Sequence, residues 1–228
     1  MSLVSAGLVD LVRCRRCSRL VDYLATLPVK RGFSRADYHA APVAPFGDPA
    51  ARVCLIGLAP GAHGANRTGR PFTGDGAGDF MYPLLHQAGF ASQPAATSSA
   101  DGLRLHDLYI TNAVKCAPPG NKPTPAEFAC CRPYLAAELA ALPQLKVVLC
   151  LGREAQQSYL RLLQEQGHIA RLADYPFNHG AVQRPGVGPY LVASYHTSRY
   201  NIQTRRLDAA MFLALLQQVR RLAGGENG

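Results

Sequence analysis

Between Gly57 and Gly78 the chain reads Gly-Leu-Ala-Pro-Gly-Ala-His-Gly-Ala-Asn-Arg-Thr-Gly-Arg-Pro-Phe-Thr-Gly-Asp-Gly-Ala-Gly. The glycines let backbone approach a ligand closely. Among them stand an aromatic ring (Phe72), a carboxylate (Asp75), an imidazole (His63) and two guanidiniums (Arg67 and Arg70). A flat apolar face, a negative oxygen and nearby cations suit a planar polar ligand and acid–base or electrostatic chemistry upon it. The loop follows the apolar run Val53–Ile56, and the carboxyl end of a buried strand is where α/β proteins bind ligands. Nucleotide-loop templates do not fit. Gly64 and Gly69 have the Walker spacing, but Arg70-Pro71 stands where a lysine and a hydroxyl are needed to grip phosphate and magnesium. Gly74-x-Gly76-x-Gly78 misses the dinucleotide spacing.

Sulfur is the second source of chemistry. The chain has seven cysteines, an odd count, with one pair at Cys14-x2-Cys17 and another at Cys116-x14-Cys131. Two distant pairs can converge on one four-thiolate site, and spacing alone does not choose between zinc and an iron–sulfur cluster. In a protein kept in a reducing compartment, ligation is favoured over disulfides. Cys54 and Cys150 lie inside apolar runs and read as core residues.

The elements that must position these groups follow from hydrophobic pattern. Val53–Leu58, Leu108–Val114, Val147–Leu151 and Tyr190–Ser194 are short, apolar and rich in β-branched or aromatic residues, as strands covered on both faces should be. Helical patterns occupy 78–88, 125–141 (opening on the cap Thr124-Pro125), 153–166 and 203–222, and a short helix is expected over 3–13. Residues 28–50, broken by prolines and glycines, read as an irregular arm. Alternating strand and helix predicts a three-layer α/β/α fold around a central four-stranded, mostly parallel sheet. With no internal repeat or linker, residues 1–228 read as one domain with a frayed tail over 224–228.

A net charge of +9, from 24 basic and 15 acidic residues, points to a polyanionic partner, of which nucleic acid is the commonest. A 48% hydrophobic share is ordinary for a globular chain. No apolar run is long enough to span a membrane and no secretory signal is evident, so a cytoplasmic protein with no membrane partner is expected.

Four motifs in order carry a family resemblance: Gly57-Leu-Ala-Pro-Gly61; Gly69-Arg-Pro-Phe-Thr-Gly74; Thr111-Asn112 leading to Lys115-Cys116-x-Pro-Pro-Gly-Asn121; and His196-Thr-Ser-Arg-Tyr-Asn201. Together with the spaced cysteines they resemble the iron–sulfur branch of the uracil-DNA glycosylases, most closely its family 5, or type b, from Cys14 to about Asn201. The resemblance implies hydrolysis of the N-glycosidic bond of uracil in double-stranded DNA, leaving an abasic site, with no required protein partner. It also implies a four-iron, four-sulfur cluster on Cys14, Cys17, Cys116 and Cys131. Cys131 is taken over the adjacent Cys130 because it lies four residues after Glu127, as the family pattern wants.

On this reading a damaged base leaves the stack and enters the pocket. Phe72 stacks on it, and Asn112, at the end of a strand, reads its edge with an amide that both donates and accepts. Ala59 and Gly61 line the pocket, and His196 stabilises the leaving base. In the sister group the residue at position 58 is acidic. Here it is Leu58, so Asp75 is the carboxylate expected to orient water or stabilise the cationic sugar, with Asp79 as the alternative. Leu58, Ala59 and Ala62 leave fewer polar constraints, which predicts tolerance of deaminated purines such as hypoxanthine. Arg67, Arg70, Lys115, Lys122, Ser198, Arg199, Arg205 and Arg206 are candidate backbone contacts. Tyr200 is a candidate wedge beside Arg199, and Asn121 a weaker pocket candidate. Two rival readings are a non-catalytic iron–sulfur protein that binds nucleic acid and a zinc-stabilised nucleotide hydrolase.

Overall fold

The computed structural model describes residues 11–224. The sheet has six strands: β1 (Phe46–Gly47), β2 (Val53–Gly57), β3 (Leu108–Asn112), β4 (Val147–Leu151), β5 (Val182–Gln183) and β6 (Tyr190–Ser194). Their order is β1-β3-β2-β4-β6-β5. The four expected strands form the parallel centre, and two-residue antiparallel strands close each edge. The edge pairs are too short to leave an alternation signal in the sequence.

Successive residues of β2 face opposite layers, as pleating requires. Val53 and Leu55 pack with α3 (Gly76–Gln87) and α7 (Ala209–Gly224), while Cys54 and Ile56 pack with α4 (Pro125–Ala140) and α5 (Arg153–Glu165). Both faces are thus covered, which is why the central strands read as unbroken apolar runs. Cys54 and Cys150 are fully buried in the second layer.

The Thr124-Pro125 cap forms as its sequence predicts. Thr124 Oγ1 accepts the Glu127 N–H at 3.3 Å, and Glu127 Oε2 accepts the Thr124 N–H at 2.7 Å. Glu127 also takes both arms of the Arg19 guanidinium at 2.7 Å, which ties α1 (Ser18–Thr26) to α4.

Of the expected helix over 203–222, residues 209–222 lie in α7, and Gln203 ends a separate short helix before it. Helix α6 (Arg199–Gln203) ends before Arg205 takes a left-handed backbone (φ 55°), and Asp208 Oδ1 then accepts the Met211 N–H at 2.8 Å at the start of α7. An apolar period that continues across the break hides it. The expected helix over 3–13 and the tail fall largely outside the described residues. Among the described residues no helix is long and apolar enough to cross a membrane.

The chain passes from β2 outward to β3, then crosses back over β2 to β4 and on to β6. Between β2 and β4 the connections diverge, so a crevice opens at the carboxyl ends of the strands. The Gly57–Gly78 loop, Asn112, Gly152 and His196 all leave the sheet at this end.

Candidate active site

Gly57 and Asn112 are register partners at the ends of β2 and β3. A methyl group on Gly57 would overlap Asn112 Oδ1 and stand 2.6 Å from Phe72 Cζ. The missing side chain therefore lets an amide and a phenyl ring meet over one backbone atom. Phe72 holds a left-handed backbone (φ 52°), which non-glycine residues adopt only when their surroundings enforce it. Its ring is largely buried, and its centroid lies 6.2 Å from that of His196 at an interplanar angle of 34°. Core packing and presentation to the crevice are thus both met by one ring.

Asp75 caps α3, with Oδ1 accepting the Ala77 and Gly78 N–H groups at 3.1 Å. Its other oxygen faces the turn at Gly61 and Gly64. Asp79, one turn into α3, is exposed. Arg199, also exposed, reaches across to Gly76, where an added methyl would lie 2.5 Å from its Nε. The loop after β6 is held by Asn201, whose Nδ2 donates to the His196 carbonyl at 2.8 Å. Ser198 Oγ caps α6, accepting the Asn201 N–H at 3.4 Å.

Burial pulls the His196 pKa below its ordinary 6.5, and the carboxylates of Asp75 and Glu154 push it part of the way back. The imidazole is therefore neutral at pH 7, with one N–H to donate. Since the folded-state value lies below the unfolded one, this group's contribution to stability is complete above pH 6.5. It is lost as pH falls through the folded value. Asp75→Asn removes one of the two groups that raise it, so the His196 midpoint should fall further in an NMR titration. A midpoint that stays put or rises would show that the carboxylate does not act on the ring.

The glycine loop is fixed from outside by the irregular arm. Tyr38 Oη and His63 Nδ1 share a hydrogen bond of 2.8 Å, and the Arg67 guanidinium lies 4.4 Å from the centroid of the Phe33 ring. The arm's Arg35 in turn donates to carbonyls at the end of α1 (Leu24, Ala25 and Leu27). Spacing gave no sign of these supports.

Two expected phosphate contacts are corrected. Arg70 is buried and bonded to both oxygens of Asp101, at 2.8 and 2.6 Å, and its donation holds the Asp101 carboxyl well below the usual carboxylate range. Lys115 is also buried, with Nζ donating to Thr111 Oγ1 at 2.6 Å and Glu138 Oε2 at 2.7 Å. Neither cation faces a polyanion. Lys122, Arg199, Tyr200, Arg205 and Arg206 are exposed, and Arg67 is half-buried. Ala59 packs partly toward the thiol cavity rather than only into the crevice, while Gly61 lies beside Asp75. Asn121 is exposed on a left-handed turn (φ 56°).

Cys14, Cys17, Cys116, Cys130 and Cys131 line a single hollow together with Lys115 and Tyr134. Burial and the neighbouring thiols push Cys17 and Cys116 up to about 12. Burial also raises Cys131, against the pull of the Lys115 N–H and ammonium. Among the described residues no three side chains of ligand type stand in metal-ligating geometry. The donor chemistry nonetheless fits a thiolate-bound cluster, since the hollow offers several sulfurs, no carboxylate or imidazole, and two cations, Arg16 and Lys115, to balance thiolate charge.

At the strand ends of a doubly wound sheet, where such folds bind ligands, the chain gathers an aromatic, an amide, an imidazole and a carboxylate, the arrangement of a ligand-binding α/β protein. A family model for the Uracil DNA glycosylase superfamily matches residues 44–220, and the chain belongs to that superfamily. The type-5 uracil-DNA glycosylase of Thermus thermophilus is 50% identical over 94% of this chain and 95% of its own length. That of Mycobacterium bovis is 42% identical over 93% and 79%. A type-4 enzyme of Archaeoglobus fulgidus is 34% identical over 66% of this chain and 67% of its own. Identity at this level over most of both chains places the branch as type 5. The crystal structure of Pedobacter heparinus SMUG2 shares the fold, with a TM-score of 0.51 at 12% identity over 91% of this chain and 98% of that one.

Proposed function

We propose that this chain is a DNA-repair glycosylase that hydrolyses the N-glycosidic bond of uracil in double-stranded DNA and leaves an abasic site. The observation that carries the reading is the meeting of Phe72, Asn112, Asp75 and His196 at one end of the sheet, inside the matched region.

The extruded base stacks on Phe72 and hydrogen-bonds the Asn112 amide. As the bond to the sugar lengthens, negative charge gathers on the base and positive charge on the deoxyribose. Neutral His196 donates its N–H to the base oxygen, an interaction that strengthens with the charge. Asp75 lies toward the sugar, where its oxygen orients water and offsets the cation. The water oxygen bonds to the sugar carbon and keeps one proton as the new hydroxyl, the electron pair leaves with the base nitrogen, and the water's other proton ends on the released base. Leu58, Ala59 and Ala62 leave room for hypoxanthine. Arg67, Lys122, Ser198 and Arg199 grip phosphates, and Tyr200, with 69% of its surface exposed, fills the vacated stack.

Cys14, Cys17, Cys116 and Cys131 would hold a four-iron, four-sulfur cluster. When bound it supplies thiolate crosslinks between the α1 region, the segment after β3 and α4, and so folding energy rather than chemistry. The whole chain acts as one domain, in the cytoplasm with DNA and without a required protein partner.

Incubation with uracil-containing duplex should yield alkali-labile breaks at the uracil, and inosine-containing duplex should yield them at the inosine. Uncut uracil duplex would overturn the activity. Cutting of uracil alone would overturn the breadth. Purified protein should be brown with iron and sulfide in equal amounts, and zinc in their place would overturn the cluster.

A further inference from the structure

The structure assigns Gly64 a part in the reaction. It is a positioning residue that keeps open the space in which the Asp75 carboxylate stands. The inference rests on the Asp75 reading above and goes beyond it by naming what holds that carboxylate where it can act.

Two pinned backbones meet here. Gly64 is buried just before the one-turn helix α2 (Ala65–Thr68); its N–H donates to the Gly61 carbonyl at 3.2 Å, and its own carbonyl accepts the N–H groups of Arg67 and Thr68, at 2.9 and 3.0 Å, and the Thr68 hydroxyl at 3.2 Å. Asp75 is pinned from the other side by the two N–H groups on Oδ1. Its free oxygen is thereby aimed into the Gly61–Gly64 turn. A methyl group on Gly64 would overlap Oδ2 and stand 2.7 Å from both Cβ and Cγ. The same methyl on Gly61 would stand 3.0 Å from Oδ2 and at an ordinary 4.0 Å from Cγ. Because Asp75 Cβ also stands within 2.7 Å of the Gly64 methyl, turning the carboxylate does not relieve the overlap, and Asp75 as a whole must move away from the turn. Gly57 plays a separate role, because its missing methyl makes room for Asn112 and Phe72. One loop therefore uses different glycines to seat the edge-reading group and the charged group.

The test uses the full, cluster-loaded chain. Gly64→Ala should slow single-turnover release of uracil from duplex by about 10- to 100-fold, the range a displacement near 1 Å can cost. Its affinity for abasic duplex should stay unchanged, and its His196 NMR midpoint should move down as in Asp75→Asn. In an Asp75→Gly background the added methyl has nothing to displace and should cost no further rate. Whatever alanine costs the backbone at residue 64 is common to both backgrounds and cancels in the cycle. Should Gly64→Ala alone not fold, the Asp75→Gly double variant should restore folded protein. Equal losses in both backgrounds, an unmoved His196 midpoint, or a double variant that still does not fold would overturn the proposal. Asp75→Asn turning over at the wild-type rate would strike the Asp75 reading itself, whatever Gly64→Ala does.

Discussion

Asp75→Asn should slow single-turnover release of uracil from duplex by about 100-fold, the low end of what a positioned acid–base or electrostatic group supplies. The substitution is informative because so little else changes. Asparagine is as good an N-cap as aspartate, so the N–H groups of Ala77 and Gly78 keep an acceptor and α3 keeps its start. What is lost is the negative charge on the oxygen that faces Gly61 and Gly64. Affinity for abasic duplex should hold, or rise slightly as repulsion of phosphate is relieved. Asp79→Asn is the companion measurement. Asp79 is exposed in the first turn of the same helix, where a carboxylate mainly favours the dipole. It should therefore leave the rate alone. Full turnover by Asp75→Asn, or a slow Asp79→Asn, would move the charge role off Asp75.

The central sheet was legible because strands covered on both faces must be apolar throughout, and four short runs are so while also being rich in β-branched or aromatic residues. Asn112 and His196 were legible because each ends or follows one of those strands, where the crevice has to lie. Asp75 was legible as a carboxylate among glycines, but not how it is seated, because the clash that defines Gly64 exists only when the loop is folded. The sorting of cations could not be read at all. Arg70 and Lys115 sit in motif-bearing segments just as Arg199 does, and what removes them from the surface is a carboxylate 31 or 23 residues away. Nothing local marks Asp101 or Glu138 as their partners. The break between α6 and α7 was lost for a related reason, since Ile202 and the connecting Leu207 pack against the same core as α7 and carry the apolar signal across it. Cys130 and Cys131 both face the thiol hollow, so adjacency on one helix leaves their separate roles to measurement of bound metal.

The hidden pair at Lys115 leads to the largest effect expected on stability. Glu138→Gln should cost about 3–5 kcal/mol in urea unfolding, because it leaves the ammonium buried without its counter-charge. Lys115 Nζ has two partners, Thr111 Oγ1 and Glu138 Oε2, and the Thr111 hydroxyl donates to that same carboxylate oxygen at 2.7 Å. Among the described residues Glu138 Oε1 has no hydrogen-bond partner, so the carboxylate is held by charge and by one oxygen. Replacing both members with apolar residues of similar size, as in Lys115→Met with Glu138→Leu, should recover most of the loss, since a buried ion pair gains little over good packing. A single variant as stable as wild type, or a double variant no better than the single, would show that the pair is not what balances the charge. Thr111 precedes Asn112 on β3, and Lys115 lines the thiol hollow. The single variant should therefore disturb base reading and cluster retention together, where loss of a cysteine ligand alone would act first on the cluster. That shared failure is what distinguishes a pair built into the joint between the two sites from an isolated core defect.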